Sequence, residues 1–78
     1  MKWYNKDRTE MIDLSEVKYF NYTTLEKAQE QGSSGFTFDQ ITLKGNRLDL
    51  QLAGNMICKW GEDANEIYKM LISQKEVI

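Results

Sequence analysis

Hydrophobic and polar residues alternate with period two through the middle of the chain. Leucine or isoleucine stands at every second position on either side of a Gly45-Asn46 pair, and a second Gly-Asn pair follows at Gly54-Asn55. Glycine and asparagine both tolerate the positive φ that tight hairpin turns require, so two turns are expected. The pattern therefore predicts three consecutive antiparallel strands, at 36–44, 47–53 and 56–60.

The predicted turns determine which side chains share a face of this meander. A hairpin loop at Gly45-Asn46 places Leu43 opposite Leu48, and Ile41 then lies opposite Leu50. Alternation predicts an apolar core face that consists of Ile41, Leu43, Leu48, Leu50, Leu52 and Ile57, with Ile57 opposite Leu52. The opposite face is predicted to carry Thr42, Lys44, Arg47, Asp49, Gln51, Met56, Cys58 and Trp60.

The hydrophobic period changes after Trp60. Apolar residues recur there at helical spacing, at Ala64, Ile67, Tyr68 and Leu71. This spacing predicts a C-terminal helix over about 61–74, with acidic residues in its first turn, where the helix dipole favours them. The apolar stripe of this helix is expected to cover the sheet.

The N-terminal third predicts two more strands, at 2–4 and 17–23, from their aromatic and β-branched residues. Between them, residues 13–16 have the spacing of a capping box, but poor helix formers follow, so at most one helical turn is expected. Residues 25–31 contain good helix formers and few apolar ones, which fits either a short helix or a flexible excursion over about 24–35. The glycine- and serine-rich segment 31–35 is predicted to be the most flexible part of the chain.

Together these elements predict a single α+β domain over residues 1–78. Its architecture is an antiparallel β-meander of about five strands in a bent sheet, packed by one C-terminal helix. A meander followed by a helix resembles the second half of a pleckstrin-homology-like domain, over about residues 36–74. The resemblance implies a half barrel with the helix closing one end of the bent sheet.

The composition of the 78-residue chain bounds its chemistry. There is no histidine and no proline, and Cys58 is the one cysteine. An internal disulfide framework, a metal site of several Cys or His ligands and a histidine-based triad are thereby excluded. We predict no catalytic residue, no metal, no cofactor and no enzymatic activity. The single cysteine favours a reducing, cytoplasmic location, and neither a signal peptide nor a membrane span is expected.

The charge distribution adds one constraint. The formal net charge is −2 at pH 7, residues 1–61 carry equal numbers of basic and acidic groups, and the acidic excess lies at the C-terminal end. Non-specific nucleic-acid binding needs many basic groups on one face. The sequence therefore does not favour a nucleic-acid partner.

Aromatic residues suggest the leading functional hypothesis. Tyr19 and Phe20 are adjacent in one predicted strand, so they point to opposite faces and one of them should remain exposed. Exposed aromatic side chains on a sheet commonly anchor protein interfaces. We therefore predict a non-enzymatic protein-binding module that works by sheet-edge pairing or an aromatic patch, with a protein partner or a second copy of the chain as ligand. The candidate interface residues are Tyr4, Tyr19, Phe20, Tyr22 and Trp60.

Two other hypotheses come from different functional classes. The first is recognition of nucleic acid or an anionic headgroup, provided the fold gathers the basic residues Lys2, Lys6, Arg8, Lys18, Lys44 and Arg47. Its candidate anion contacts are Lys6, Arg8, Lys44 and Arg47. The second is a small enzyme, which would need a deep pocket lined by carboxylates.

Overall fold

The computed structural model describes residues 1–30 and 35–76, with side chains described for 1–30 and 40–74. Its five strands form a two-stranded hairpin of β1 (Lys2–Tyr4) and β2 (Met11–Asp13), and a three-stranded sheet of β3 (Val17–Thr23), β4 (Arg47–Leu52) and β5 (Asn55–Trp60) in the order β3-β4-β5. The described helices are α1 (Leu25–Glu30), α2 (Gly35–Lys44) and α3 (Gly61–Glu76). The fold is α+β with five antiparallel strands and a C-terminal helix, as predicted.

Strands β4 and β5 form the hairpin predicted from the second Gly-Asn pair. The loop residues are Ala53 and Gly54, and Gly54 adopts φ +93°, which explains the glycine. Leu52 therefore pairs with Asn55, and Ile57 lies opposite Leu50 instead of opposite Leu52 as predicted. This shift of two residues leaves Ile57 on the predicted face, because strand side chains alternate with period two.

The strand predicted over 36–44 is wrong, because that segment forms helix α2. Gly45 follows the helix at φ +96°, and its N–H donates to the Ile41 carbonyl at 2.8 Å, which ends the helix with a left-handed cap. The partner of β4 is consequently β3, which pairs Phe20 with Leu50. The predicted pairing of β4 with Ile41 and Leu43 does not occur.

Two further expectations depended on a strand at 36–44. Leu43, predicted in the core, is 84% exposed on α2, whereas Ile41 is buried. The likeness to half of a pleckstrin-homology-like domain needed a first strand at 36–44, which is helical. The five strands divide into two sheets, and the described residues form no closed barrel.

The core lies on one face of the three-stranded sheet, which we call the inner face. Leu48 and Leu50 at its centre are fully buried. Helix α3 and the β1-β2 hairpin cover this face, and the core side chains they contribute are Ala64, Ile67, Leu71, Trp3 and Ile12, with Leu14 from the turn after β2. The Trp3 indole N–H donates to Glu66 at 3.2 Å, which ties the hairpin to α3.

The N-terminal predictions are largely confirmed. Strands occur at the two predicted positions, 2–4 and 17–23, while β2 was not predicted. Between β2 and β3 there is one 3₁₀ turn, and the Asp13 carboxylate accepts hydrogen bonds from the side chain and backbone N–H of Ser15. These bonds lower the pKa of Asp13 below its usual value.

Residues 25–30 form the helix α1, which agrees with the short-helix alternative for that region. The Thr24 hydroxyl caps this helix by accepting a hydrogen bond from the Lys27 N–H at 3.1 Å. Of the segment 31–35 that was predicted to be flexible, residues 31–34 lie outside the described residues, and Gly35 begins helix α2.

Candidate protein-binding surface

The second face of the three-stranded sheet, which we call the outer face, is open to solvent over much of its area. Side chains directly opposite one another across the strands define three rows on it. The rows are Tyr19-Gln51-Met56, Asn21-Asp49-Cys58 and Thr23-Arg47-Trp60. The β4 and β5 members agree with the outer face that the sequence predicted.

The first row is the most apolar exposed part of the outer face. Tyr19 and Met56 are each 65% exposed, on either side of the half-buried Gln51. Tyrosine and methionine are enriched in protein interfaces, where a rigid ring and an adaptable thioether both supply apolar contact area. This row therefore offers an apolar strip across the width of the sheet.

The middle row is polar and internally satisfied. The Arg47 Nε–H, from the neighbouring row, donates to both oxygens of the Asp49 carboxylate at 3.1 Å. Partial burial raises the pKa of the neighbouring Cys58 thiol, and the positive charge of Arg47 opposes the rise. At neutral pH the thiol is therefore protonated, which suits a structural cysteine better than a nucleophile.

The third row ends in a cluster of cations around Trp60. Lys44 at the end of α2 places its Nζ 5.3 Å from the centroid of the Trp60 ring, and the Arg47 guanidinium carbon lies 5.5 Å from it. Both distances are within the range of cation–π attraction. Trp60 is half-buried, and two basic side chains lie beside its ring, at the far end of the sheet from Tyr19.

The backbone around Trp60 explains why these side chains meet. A Cβ on Gly45 would lie 2.9 Å from the Cα of Gly61, so the end of α2 and the start of α3 touch through two glycines. The Gly61 N–H donates to the Asn46 carbonyl at 2.9 Å. We call this meeting point of α2, β4, β5 and α3 the junction.

A polar cluster beside the junction was not predicted from the sequence. The Tyr22 hydroxyl donates to the Asn65 side-chain carbonyl at 2.5 Å, and the Asn46 amide donates to both of these oxygens, at 2.8 and 3.1 Å. Tyr22 also stacks on Tyr68, with ring centroids 4.0 Å apart. The only signal was Asn46 itself, which a hairpin-turn interpretation assigns to the loop.

The five predicted interface aromatics do not form one patch. Tyr19 and Trp60 lie on the outer face, but at opposite ends, separated by about 13 Å along the strands. Phe20 and Tyr22 lie on the inner face, where both pack against Tyr68 of α3. Tyr4 belongs to the hairpin and is 45% exposed.

The four predicted anion contacts divide into two pairs. Lys44 and Arg47 meet at Trp60, as described above. Lys6 and Arg8 lie in the β1-β2 loop, whose hydrogen bonds centre on Asn5, and the Arg8 guanidinium carbon lies 5.3 Å from the centroid of the Tyr4 ring. The two pairs therefore lie on different elements, the β1-β2 loop and the Trp60 end of the three-stranded sheet.

A shallow groove of about 230 Å³ lies beside the start of β3. Its lining residues are Leu14, Val17, Lys18, Tyr19, Phe20, Leu71 and Gln74. Carboxylates are not among them, so this groove lacks the acid and base groups that the enzyme hypothesis required.

The strand β5 forms one edge of the sheet and adds a backbone feature to the outer face. The residues that flank a two-residue hairpin loop, here Leu52 and Asn55, form a hydrogen-bonded pair. Hydrogen-bonded and non-hydrogen-bonded pairs alternate along an antiparallel pair of strands, so the backbone groups of Asn55, Ile57 and Lys59 bond to β4. The N–H and C=O groups of Met56 and Cys58 then point away from the sheet. Among the described residues, these groups have no backbone partner.

Comparisons with protein-family models, curated proteins and solved structures find no match to the chain. Within the described residues, no helix combines the length and the apolar character needed to cross a lipid bilayer.

Proposed function

We propose that the chain is a non-enzymatic protein-binding module whose docking surface is the outer face of the three-stranded sheet. The observation that carries the proposal is the exposed row of Tyr19, Gln51 and Met56, in which the tyrosine and the methionine are each 65% exposed. A solvated sheet face is normally polar, because alternation reserves apolar side chains for the core. An apolar strip on the open face is therefore best used against another protein.

The adjoining row supports the same proposal. Arg47 and Asp49 neutralise one another, so a partner need not compensate an isolated charge when it covers this part of the sheet. This polar row borders the apolar strip on one side, as a polar rim borders the core of a protein interface. A partner with an apolar patch and few charges fits this surface.

Capture from a lysate of the host cell, with the immobilised 78-residue chain as bait, tests the proposal. We expect at least one captured protein to be reduced about tenfold by Tyr19→Thr and by Met56→Thr, which corresponds to about 1.4 kcal/mol of binding. Threonine retains strand propensity, so both variants should stay folded.

The matched control is Leu43→Gln, which removes an even more exposed apolar side chain from α2 and leaves the sheet unchanged. This variant should capture the same proteins as the unchanged chain. Equal capture by the unchanged chain and all three variants would contradict the proposal that the outer face is the docking surface.

A second candidate function is binding of nucleic acid or an anionic headgroup at the Trp60 end. It is favoured by the position of Lys44 and Arg47 over one aromatic ring, since bases stack on aromatic side chains beside basic groups. A single-stranded oligonucleotide and anionic vesicles are the two probes. Binding that falls steeply with salt and quenches Trp60 fluorescence would support this function, and no binding at low salt would exclude it.

A further inference from the structure

We propose that two copies of this chain associate through antiparallel pairing of their β5 strands, which joins the two sheets into one of six strands. The inference names a partner for the interaction module and in that sense rests on the proposed function. It starts from the outward backbone groups of Met56 and Cys58, which form a free hydrogen-bonding edge in the described chain. Such an edge is a template for another strand.

The two edges of the sheet differ in how they are protected. On β3, the pairing register shifts between Val17 and Tyr19, so that Lys18 is an extra, bulged residue at the edge. A bulge and a lysine are two devices that prevent edge-to-edge association. Strand β5 pairs with β4 without a shift, and its outer-face residues next to the free edge, Met56 and Cys58, are uncharged.

The one charged residue of β5 does not protect its edge. Lys59 points to the inner face, where its ammonium group forms an ion pair with Glu10 of the hairpin and lies 5.5 Å from the centroid of the Trp3 ring. The charge is thus neutralised within the chain. Two copies can approach along β5 without bringing unpaired like charges together.

The sequence of β5 is complementary to itself in an antiparallel register centred on Ile57. In this register the outward groups of Met56 bond to those of Cys58 in the second copy, so both free positions are satisfied. Ile57 meets its own counterpart on the inner side. Each Lys59 lies opposite Asn55, so the lysines do not oppose one another.

The charges beyond the strand ends are also compatible with this arrangement. Glu62 and Asp63 in the first turn of α3 would lie beside the uncharged hairpin loop of the second copy, which consists of Ala53 and Gly54. The self-complementary strand and the absence of opposed charges favour a second copy over a partner of different sequence. The thin core of a chain this small also gains from added contacts.

The mass of the 78-residue chain in solution tests the inference. Sedimentation equilibrium over concentrations up to about 1 mM should show a concentration-dependent rise from the 9.2 kDa monomer to twice that mass. A chain that stays monomeric over the whole range overturns the proposal.

Two variants of the edge strand test whether the two copies associate through β5. Cys58→Lys puts a charge on the free edge and should abolish the dimer. Cys58→Pro removes an outward N–H at an edge position, where a strand tolerates proline, and should do the same. Asn21→Lys is the matched control, because it introduces the same charge in the same row on the opposite edge strand. A dimer that survives Cys58→Lys, or that is lost equally with Asn21→Lys, contradicts the assigned edge.

Crosslinking gives an independent measurement of geometry. In the register centred on Ile57, the two Cys58 residues are diagonal neighbours with Cα atoms about 7–8 Å apart, so a short bismaleimide should join them. Moving the thiol to the other edge, with Cys58→Ser and Asn21→Cys together, should abolish the crosslink. Equal crosslinking of both proteins would refute β5 pairing.

The two proposals fail separately. Tyr19 lies on β3, away from the β5 edge, so Tyr19→Thr should reduce protein capture and leave the dimer intact. A chain that stays monomeric but whose capture of other proteins is reduced by Tyr19→Thr would contradict only the dimer proposal. A dimer whose capture of other proteins is unchanged by Tyr19→Thr would contradict only the proposal of an outer-face docking surface.

Discussion

The inner and outer faces of the three-stranded sheet are made by alternate residues of the same strands, yet they differ in what covers them. Leu48 and Leu50 on the inner face are fully buried beneath α3 and the hairpin. Tyr19 and Met56 on the outer face are each 65% exposed. Burial therefore follows the position of α3, and apolar character alone does not decide which side chain is covered.

The largest expected effect separates neighbouring residues of the central strand. Leu50→Ala should lower the free energy of unfolding by about 2–5 kcal/mol, because it leaves a cavity at the centre of the inner face. Gln51→Ala, one residue away on the outer face, should change it by less than about 0.5 kcal/mol. Urea titrations of both variants measure the difference, and similar losses would mean that the faces are not distinct.

The next effect concerns the junction that holds α3 over the inner face. Gly45→Ala should destabilise the chain by about 2–4 kcal/mol, because it combines an unfavourable positive φ with a Cβ that meets the backbone of Gly61. Gly54→Ala has a similar φ but open space around the new Cβ, so about 1–2 kcal/mol is expected. Thermal unfolding of the pair checks the order, and a larger loss at Gly54 would contradict the close approach of α2 and α3.

A smaller effect is expected from the polar cluster at the margin of the inner face. Tyr22→Phe removes the hydroxyl that links Asn46 with Asn65, and should cost about 0.5–1.5 kcal/mol. The loss stays in this range because the two asparagine side chains retain their own hydrogen bond of 3.1 Å. Chemical denaturation measures the change, and a loss above that range would show that the cluster carries more of the docking of α3.

The smallest effect is a change of reactivity on the outer face. Because burial raises the pKa of Cys58, the folded thiol holds its proton to a higher pH than an unfolded one. The folded state therefore loses stability relative to the unfolded chain as the pH rises above the unfolded thiol pKa. Alkylation of Cys58 at a fixed pH near neutrality should be slower in the native chain than in urea. Faster alkylation of the native chain would contradict a raised pKa for the Cys58 thiol.

Much of the fold is predictable from the sequence because periodicity is local. The β4-β5 hairpin and helix α3 agree with the predicted segments, and the outer-face residues of these two strands do as well. A period-two strand with a positive-φ glycine at its end is a strong signal that does not depend on distant contacts. The predicted fold class follows from these elements.

The segment 36–44 was mispredicted for a physical reason. A short apolar stretch does not distinguish a strand from a buried helix, and a glycine at positive φ ends a helix as readily as it forms a hairpin loop. Gly45 performs the first role and Gly54 the second. The choice between them depends on the long-range pairing of β4 with β3, which the local pattern does not contain.

The candidate site was predictable only in part. The outer-face positions of Met56 and Trp60 follow from strand alternation, and one of Tyr19 and Phe20 had to remain exposed. Which of the two is exposed depends on the side of the sheet that α3 covers. The same long-range choice stacks Tyr22 on Tyr68 and places the Asn46 side chain in a polar cluster.

Hydroxyl-radical footprinting of the native chain at low concentration tests the difference between the faces most directly, because Tyr19 and Phe20 are adjacent in sequence. The account predicts rapid labelling of Tyr19 and Met56, and slower labelling of Phe20 and Tyr22, which are half-buried against Tyr68 of α3. Equal labelling of Tyr19 and Phe20, or protection of Tyr19 with labelling of Phe20, would contradict an open outer face and a covered inner one.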